Sequence, residues 1–555
     1  MRIFNTNNLI LILILLLTAC KSGKFDNDGR TVFRYNESAG ITSLDPAFAK
    51  DQANIWADNQ LFNGLVQLDD HLKINPCIAK SWEISPDGLQ YTFHLRSDVY
   101  FHPDESFAEG KRRKVTANDF VFSFNRILDE KLASPGAWVL AQVKKAGNKF
   151  SIDSPNDSTL RIGLETPFPP FLGLLSMKYC SVVPHEAIEK YGTDFRKHPV
   201  GTGPFKFGVW KEGVKLVMLR NDQYFESGID GPMPYLDAVA VTFIVDKQSA
   251  FLEFMKGNLD FMSGIDASYK DELLTSEGKL RNKYSSAINL TKQPYLNTEY
   301  LGILIDTSFK AAAESPLRQK LIRQAINYAF DRVKMMRYLR NNIGIAGTAG
   351  FVPAGMPWFD QAQVTGYHYD PLKASQLLTK AGYPGGKGLP AITLTTNASY
   401  LDLCRFIQSQ LGEIGIHLEI DVTPPATLKE MMAQSKVSLF RGSWIADYPD
   451  AENYLSLFYT PNFAPNGPNY THFSSSGFDK LYKDCYLISN DSARGQKYMQ
   501  MDRLVIEEAP VVVLYYDEVL RFTRKNIYGL GSNPLNLLTL KQVIKKNDVQ
   551  RLSKD

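Results

Sequence analysis

Runs in which apolar and polar residues alternate are interleaved along this chain with stretches whose apolar residues recur every third or fourth position. Leu89–Arg96 alternates residue by residue, the period of a half-buried strand. Ala391–Thr396 and His417–Val422 also read as strands, and Leu401–Ile414 between them reads as a helix. Thr116 is a suitable N-cap for a helix running through Phe120, Phe124 and Ile127. Ser315-Pro316 predicts the N-cap and first-turn proline of a stronger helix. There Leu317, Leu321, Ala325 and Ala329, joined by Ile322 and Ile326, form one broad apolar face. Asp370-Pro371 opens another helix, with Leu377 and Leu378 inward and Gly382 as its C-cap. Ala509–Tyr516 has the unbroken apolar character of a buried strand. Strands alternating with helices predict an α/β architecture, and no internal repeat interrupts it.

The first residues change the compartment. Arg2 is followed by an unbroken Leu/Ile run from Leu9 to Leu17, then Thr18-Ala19-Cys20. An apolar core of about 7–15 residues behind a positive start reads as a secretory signal, short of the roughly 20 that span a bilayer. The small residues before a cysteine resemble a bacterial lipobox, which implies cleavage of residues 1–19 and lipidation of Cys20. Lipid chains would tether the product to a membrane without embedding it. Residues 20–30, Gly/Lys/Asp-rich, suit a flexible tether.

At 555 residues the chain exceeds what one core sustains, so two or three subdomains are expected. A formal net charge of +3 argues against nucleic acid as a partner. The basic run Lys111–Lys114 reads as a solvated loop. Cys77, Cys180, Cys404 and Cys485 are widely spaced, which excludes a zinc ribbon or a thioredoxin motif. Their pairing is open, and free buried thiols fit equally well.

Catalytic patterns are missing. There is no phosphate loop, Gly-x-Gly-x-x-Gly, His-Glu-x-x-His or Gly-x-Ser-x-Gly. Gly201-Thr202-Gly203-Pro204 cannot cradle a phosphate, because Pro204 lacks the amide donor. Ser276-Glu277-Gly278-Lys279 has the Ser-x-x-Lys spacing but none of its companion motifs. The histidines are scattered, and neither a metal nor a cofactor is implied; the chain reads as a non-enzyme. What stands out is Trp444-Ile445-Ala446-Asp447-Tyr448-Pro449-Asp450, between a strand ending near Arg441 and a helix entering at Ala451. A loop carboxylate beside a tryptophan suits a cationic ligand group. Equally, Asp447 or Asp450 could cap the helix while Trp444 fills core.

Longer phrases decide between classes. Ser43-Leu44-Asp45-Pro46, Leu61-Phe62-Asn63-Gly64-Leu65, Ile78-Ala79-Lys80-Ser81-Trp82-Glu83 and Val115–Val121 follow one another. Pro199–Phe205, Arg323–Asp331, Tyr369-Asp370-Pro371, Ala381-Gly382-Tyr383 and Trp444–Asp450 come after them. In this order the chain resembles the dipeptide- and oligopeptide-binding proteins of bacterial ABC importers, the family-5 extracellular solute-binding proteins. The resemblance implies the two-lobe periplasmic-binding-protein fold, type II and cluster C, with an additional inserted domain. It would place the first lobe in 31–51, 196–293 and 511–555, the inserted domain in 52–195 and the second lobe in 294–510. It implies a monomeric, lipid-anchored receptor facing the periplasm or exterior, whose partners are short peptides and permease subunits.

The family likeness also assigns residues. Asp447 matches an aspartate that pairs with a peptide α-ammonium, Arg441 an arginine that can meet a peptide carboxylate, and Trp444 a pocket tryptophan. Gly40, Ile41 and Thr42 fall where backbone pairing with the ligand is expected, and Tyr516 completes the peptide-binding set. Two departures lie near the pocket. Gly136 stands where an oligopeptide binder has an aromatic residue, with Trp138 nearby, and Pro424-Pro425 replace a frequent tryptophan. The same scaffold also carries oligosaccharides and nickel chelates, and an exported hydrolase or chaperone is the remaining alternative. Asp447 together with Arg441 favours a zwitterion over a sugar.

Overall fold

A computed structural model describes residues 29–147 and 149–546. The signal segment, Cys20 and most of the tether therefore lie outside the described residues.

Among the described residues one sheet of eleven strands runs through the whole molecule. From one edge the order is Phe205–Lys211, Lys215–Arg220, Ala238–Thr242, Val32–Asn36, Phe261–Ser263, Val511–Arg524, Ile288–Ile303, Leu439–Ile445, Ile392–Thr396 and Leu418–Val422, with Ile345–Ala346 also paired to Val511–Arg524. Val32–Asn36 runs parallel to Ala238–Thr242, and Ile392–Thr396 runs parallel to both of its neighbours. Alternation sets the faces: Phe33 and Tyr35 point into the core while Val32, Arg34 and Asn36 stay partly exposed.

Two long antiparallel strands, Ile288–Ile303 and Val511–Arg524, join the two halves of this sheet. Their pairing breaks in the middle. Pro294 faces Glu518 and Thr298 faces Tyr516, so residues 295 to 297 lie opposite Asp517 alone. Pro294 has no amide to donate to the ladder, and a bulge is where a sheet accommodates that. Beyond the bulge, Thr298–Gly302 packs in the second lobe; before it, Ile288–Pro294 packs in the first. The C-terminal strand is thus longer than its apolar run predicts, and it serves both lobes.

The second lobe has helices on both faces of its sheet. Leu301, Ile303, Leu394, Leu439 and Leu514 pack under Lys320–Tyr328, Pro371–Lys380 and Leu401–Glu413. Tyr300, Phe440 and Val513 pack with Phe458, Phe478 and Met501 on the other face. The helix predicted from Ser315 begins later. Ser315 caps only a short turn, Pro316–Arg318, Gln319 is extended, and the α-helix starts at Lys320. Arg323 explains the break: its guanidinium takes hydrogen bonds to the Leu317 and Arg318 carbonyls at 3.0 and 3.1 Å, which a continuous helix would have used internally.

A second, four-stranded antiparallel sheet orders Ala79–Ile84, Gln90–Leu95, Thr159–Gly163 and Ile152–Asn156. Its Phe93 and Leu160 share one continuous core with Phe33, Phe120 and Val239, so this region is bonded firmly to the first lobe. Gly201 and Gly203 belong to that junction. A Cβ on Gly201 would meet the Leu61 carbonyl at 2.0 Å, so the motif is a packing device. The chain's end returns to the same lobe, where Trp56 Nε1 donates to the Asn536 carbonyl at 2.8 Å. All four described cysteines are free and buried.

Candidate functional site

Two adjoining cavities lie between the halves of the molecule. The larger, about 770 Å³, has Glu37, Lys247 and Asp266 on its first-lobe wall and Arg340, Tyr400 and Asp402 on the opposite one. The smaller, about 430 Å³, has Trp138, Lys178 and Tyr179 facing Ile445, Ala446 and Asp447. Gln52, Trp56, Tyr295 and Asn536 line both. Tyr295 reaches them from the bulge between the long strands, so the junction of the two halves itself forms part of the cleft lining.

Local chain chemistry separates the two carboxylates of the Trp444–Asp450 stretch. Strand Leu439–Ile445 is followed by Ala446, whose amide donates to the Leu296 carbonyl at 2.9 Å. Asp450 then accepts the Glu452 amide at 2.9 Å, opening helix Glu452–Leu455, and lies 3.8 Å from Arg494. Capping is Asp450's work. Asp447 is left facing the cavity, and among the described residues it has no ion-pair partner. Its side chain is open to the cavity, yet the protein around it desolvates the carboxyl and raises its pKa above the usual carboxylate value. A hydrogen bond from Asn453 tempers that rise. Trp444 Nε1 donates to Asn453 Oδ1 at 2.9 Å, which orients the amide that serves Asp447. Trp444 therefore acts behind the carboxylate and does not itself line the small cavity.

The opposing wall is aromatic. Trp138 is 42% exposed and lies 6.4 Å from the Tyr448 ring, centroid to centroid. Burial, then the charge of Asp447, pushes the Tyr179 hydroxyl up to about 12. Tyr179 also explains Gly136: a Cβ there would meet the Tyr179 ring at 2.3 Å, so the ring occupies the room a larger residue would need. The prolines at 424 and 425 are exposed at the start of helix Pro425–Ala433, away from both cavities.

Other residues of the expected set lie elsewhere. Arg441 sits within the strand, buried, ion-paired with buried Glu299 and with its guanidinium carbon 3.2 Å from the Tyr400 ring centroid. Burial pushes its pKa down to about 10. It lines neither cavity, so the structure does not bring it to Asp447. Tyr516 is fully buried and donates to the Gly350 carbonyl at 2.6 Å. The Thr42 amide donates to Asn54 Oδ1 at 3.0 Å and its carbonyl accepts from Arg196 at 3.2 Å. Ile41 is buried, and none of Gly40, Ile41 and Thr42 lines the Asp447 cavity. Lys178, Tyr179, Tyr295 and Asn453 were not anticipated; only the anomaly at Gly136 and Trp138 pointed toward this wall.

A sequence model of the bacterial extracellular solute-binding proteins, family 5, matches residues 73–466, well over half the chain. The chain belongs to this family. The glutathione-binding protein GsiB of Escherichia coli is 25% identical over 506 residues, covering 89% of this chain and 91% of its own length. Heme-binding protein A of Haemophilus influenzae is 27% identical over 523 residues, with the same shares covered. Among solved structures, the periplasmic binding protein DppA of Helicobacter pylori, in complex with the peptide STSA, superposes with a TM-score of 0.71 at 27% identity. That match covers 93% of this family-5 chain and 99% of DppA. The molecule accordingly has the two-lobe type II periplasmic-binding-protein fold, and its family consists of extracytoplasmic binding proteins. No described helix is long and apolar enough to cross a membrane.

Proposed function

We propose that this protein captures short peptides between its lobes and delivers them to an ABC importer. The observation that carries the reading is Asp447: a carboxyl open to an aromatic-walled interlobe cavity, with a raised pKa and, among the described residues, without an ion-pair partner. An α-ammonium supplies that charge, and a charge-assisted hydrogen bond in a closed cleft is among the stronger polar contacts available. Trp444, through Asn453, positions the carboxylate. Arg441, Tyr516 and the segment Gly40–Thr42 support the reading as framework around the cleft, in the states described above. DppA, solved with a peptide, and GsiB, named for a tripeptide, support the substrate class.

The proposal extends to the ends and the layout. Residues 1–19 act as a lipoprotein signal, Cys20 carries the lipid, and the monomer works at the outer face of a membrane. The first lobe takes 31–51, 196–293 and 511–555, the inserted domain 52–195, and the second lobe 294–510.

Calorimetry with trialanine and its N-acetylated form is the direct test. Asp447→Asn should weaken trialanine binding by about two decades, close to 3 kcal/mol, while the acetylated peptide binds poorly to both proteins. Equal affinity of wild type and variant, with the fold intact, would exclude Asp447 as the anchor. Mass spectrometry of ligand co-purified from the host distinguishes a peptide from a sugar or a metal chelate.

A further inference from the structure

The cavity that holds Asp447 is also lined by a lysine that, among the described residues, makes no hydrogen bond or ion pair. Lys178, on the short turn Lys178–Cys180, is partly buried in the opposite wall. Among the described residues its ammonium has no hydrogen bond or ion pair. Burial lowers its pKa. Its closest acidic neighbours are Asp58 and Cys77, both buried in the protein. Burial holds the Asp58 carboxyl well above its usual range, with both oxygens lacking a hydrogen-bond partner, and pushes the Cys77 thiol up to about 11. An ammonium drawn partly out of water gains from a hydrogen-bonded negative charge, and the cavity it lines is where a guest can supply one.

The other cation of the small cavity, Lys50, is exposed and already solvated. Arg441, the residue assigned by likeness to a ligand carboxylate, is ion-paired with Glu299 and faces neither cavity. Asp447 and Lys178 sit on opposite walls of one cavity and form no ion pair with each other. A guest that satisfies both is an extended zwitterion. Resting on the peptide reading above, we infer that Lys178 binds the free α-carboxylate of the peptide whose ammonium Asp447 holds, which restricts the site to short peptides with an unblocked C-terminus.

The test uses the full chain and a mixture of synthetic di-, tri- and tetrapeptides, each as free acid and as C-terminal amide. Retained peptides are identified by mass spectrometry and their affinities measured by calorimetry. Wild type should prefer the acids by about ten- to a hundredfold, the range of one charge-assisted hydrogen bond. Lys178→Met should bring the acids down to the level of the amides without altering amide affinity, and Lys178→Arg should keep the preference. Lys50→Ala should keep it too. Equal retention of acids and amides by wild type, or a preference that survives Lys178→Met or vanishes in Lys50→Ala, overturns the carboxylate role alone. Retention of no peptide overturns the peptide reading and this inference together, and indifference to N-acetylation overturns the Asp447 anchor separately.

Discussion

Asp447 and Asp450 are separated by two residues and stand in different surroundings, and the difference is one of hydrogen bonding. Asp450 spends its oxygens on the Glu452 amide and on Arg494, while Asp447 keeps only the partial support of Asn453. The sequence showed both carboxylates beside a tryptophan and left their division open, because a cap and a ligand anchor use the same residue type. The raised pKa of Asp447 has a consequence for pH. To hold an ammonium the carboxyl must be ionised, and a bound ammonium lowers its pKa again. Affinity for a peptide amine is therefore complete above the free protein's pKa and falls as pH descends through it. Since the protein around it raises that pKa above the ordinary 3.8, the loss begins at a higher pH than for a fully solvated aspartate. Below it, affinity should fall by about tenfold per pH unit. Calorimetric titration of trialanine from about pH 7 to 4 checks this: wild type should lose affinity and Asp447→Asn should stay level, and a level wild-type profile would mean the carboxyl plays no part.

Among the elements, those carrying their own period were legible: the strand at 90–95, the helix capped at Thr116, and the helix opened by Asp370-Pro371 all appear where the pattern puts them. The two long strands were not. Their outer halves face different cores, Pro294 interrupts one of them, and the bulge at residues 295–297 obeys tertiary pairing more than local preference. The surroundings of Arg441 have the same tertiary origin. The sequence puts it at the end of a strand, but its partner Glu299 arrives from the adjacent strand, with Asn297 donating to the same carboxylate at 2.9 Å, which no local pattern announces. A buried ion pair at this junction makes a sharp prediction about stability. Glu299→Ala leaves the Arg441 guanidinium buried and uncompensated, which should cost about 3–5 kcal/mol in denaturant unfolding. Replacing both, Glu299→Met with Arg441→Met, should cost less than the single change, because no charge is then stranded. A double variant less stable than Glu299→Ala would show that the pair itself contributes net stability.

At the scale of the whole molecule, the cleft is bordered by contacts between residues 138–173 and the second lobe. The Phe168 ring meets Tyr486 edge to face at 5.3 Å, Trp138 lies against Tyr448, and helix Phe171–Leu175 brings Gly173 up to Pro449. A Cβ at Gly173 would stand 3.4 Å from Pro449 Cδ, an ordinary contact, so an alanine fits but nothing larger does without displacing the opposite lobe. The side chain missing at 173 thus lets two surfaces far apart in sequence meet, a role invisible to any local pattern. Closure of this kind retains ligand by slowing its escape, and affinity differences among variants of one interface appear mostly in dissociation. Gly173→Ala should bind peptide as wild type does. Gly173→Trp should hold the lobes apart, with overpacking of about 1–3 kcal/mol appearing as dissociation faster by about ten- to a hundredfold and association little changed. Stopped-flow kinetics reads the rates, and X-ray scattering should show that saturating peptide no longer compacts the variant. Compaction and dissociation equal to wild type in Gly173→Trp would place the closing contact elsewhere on the rim.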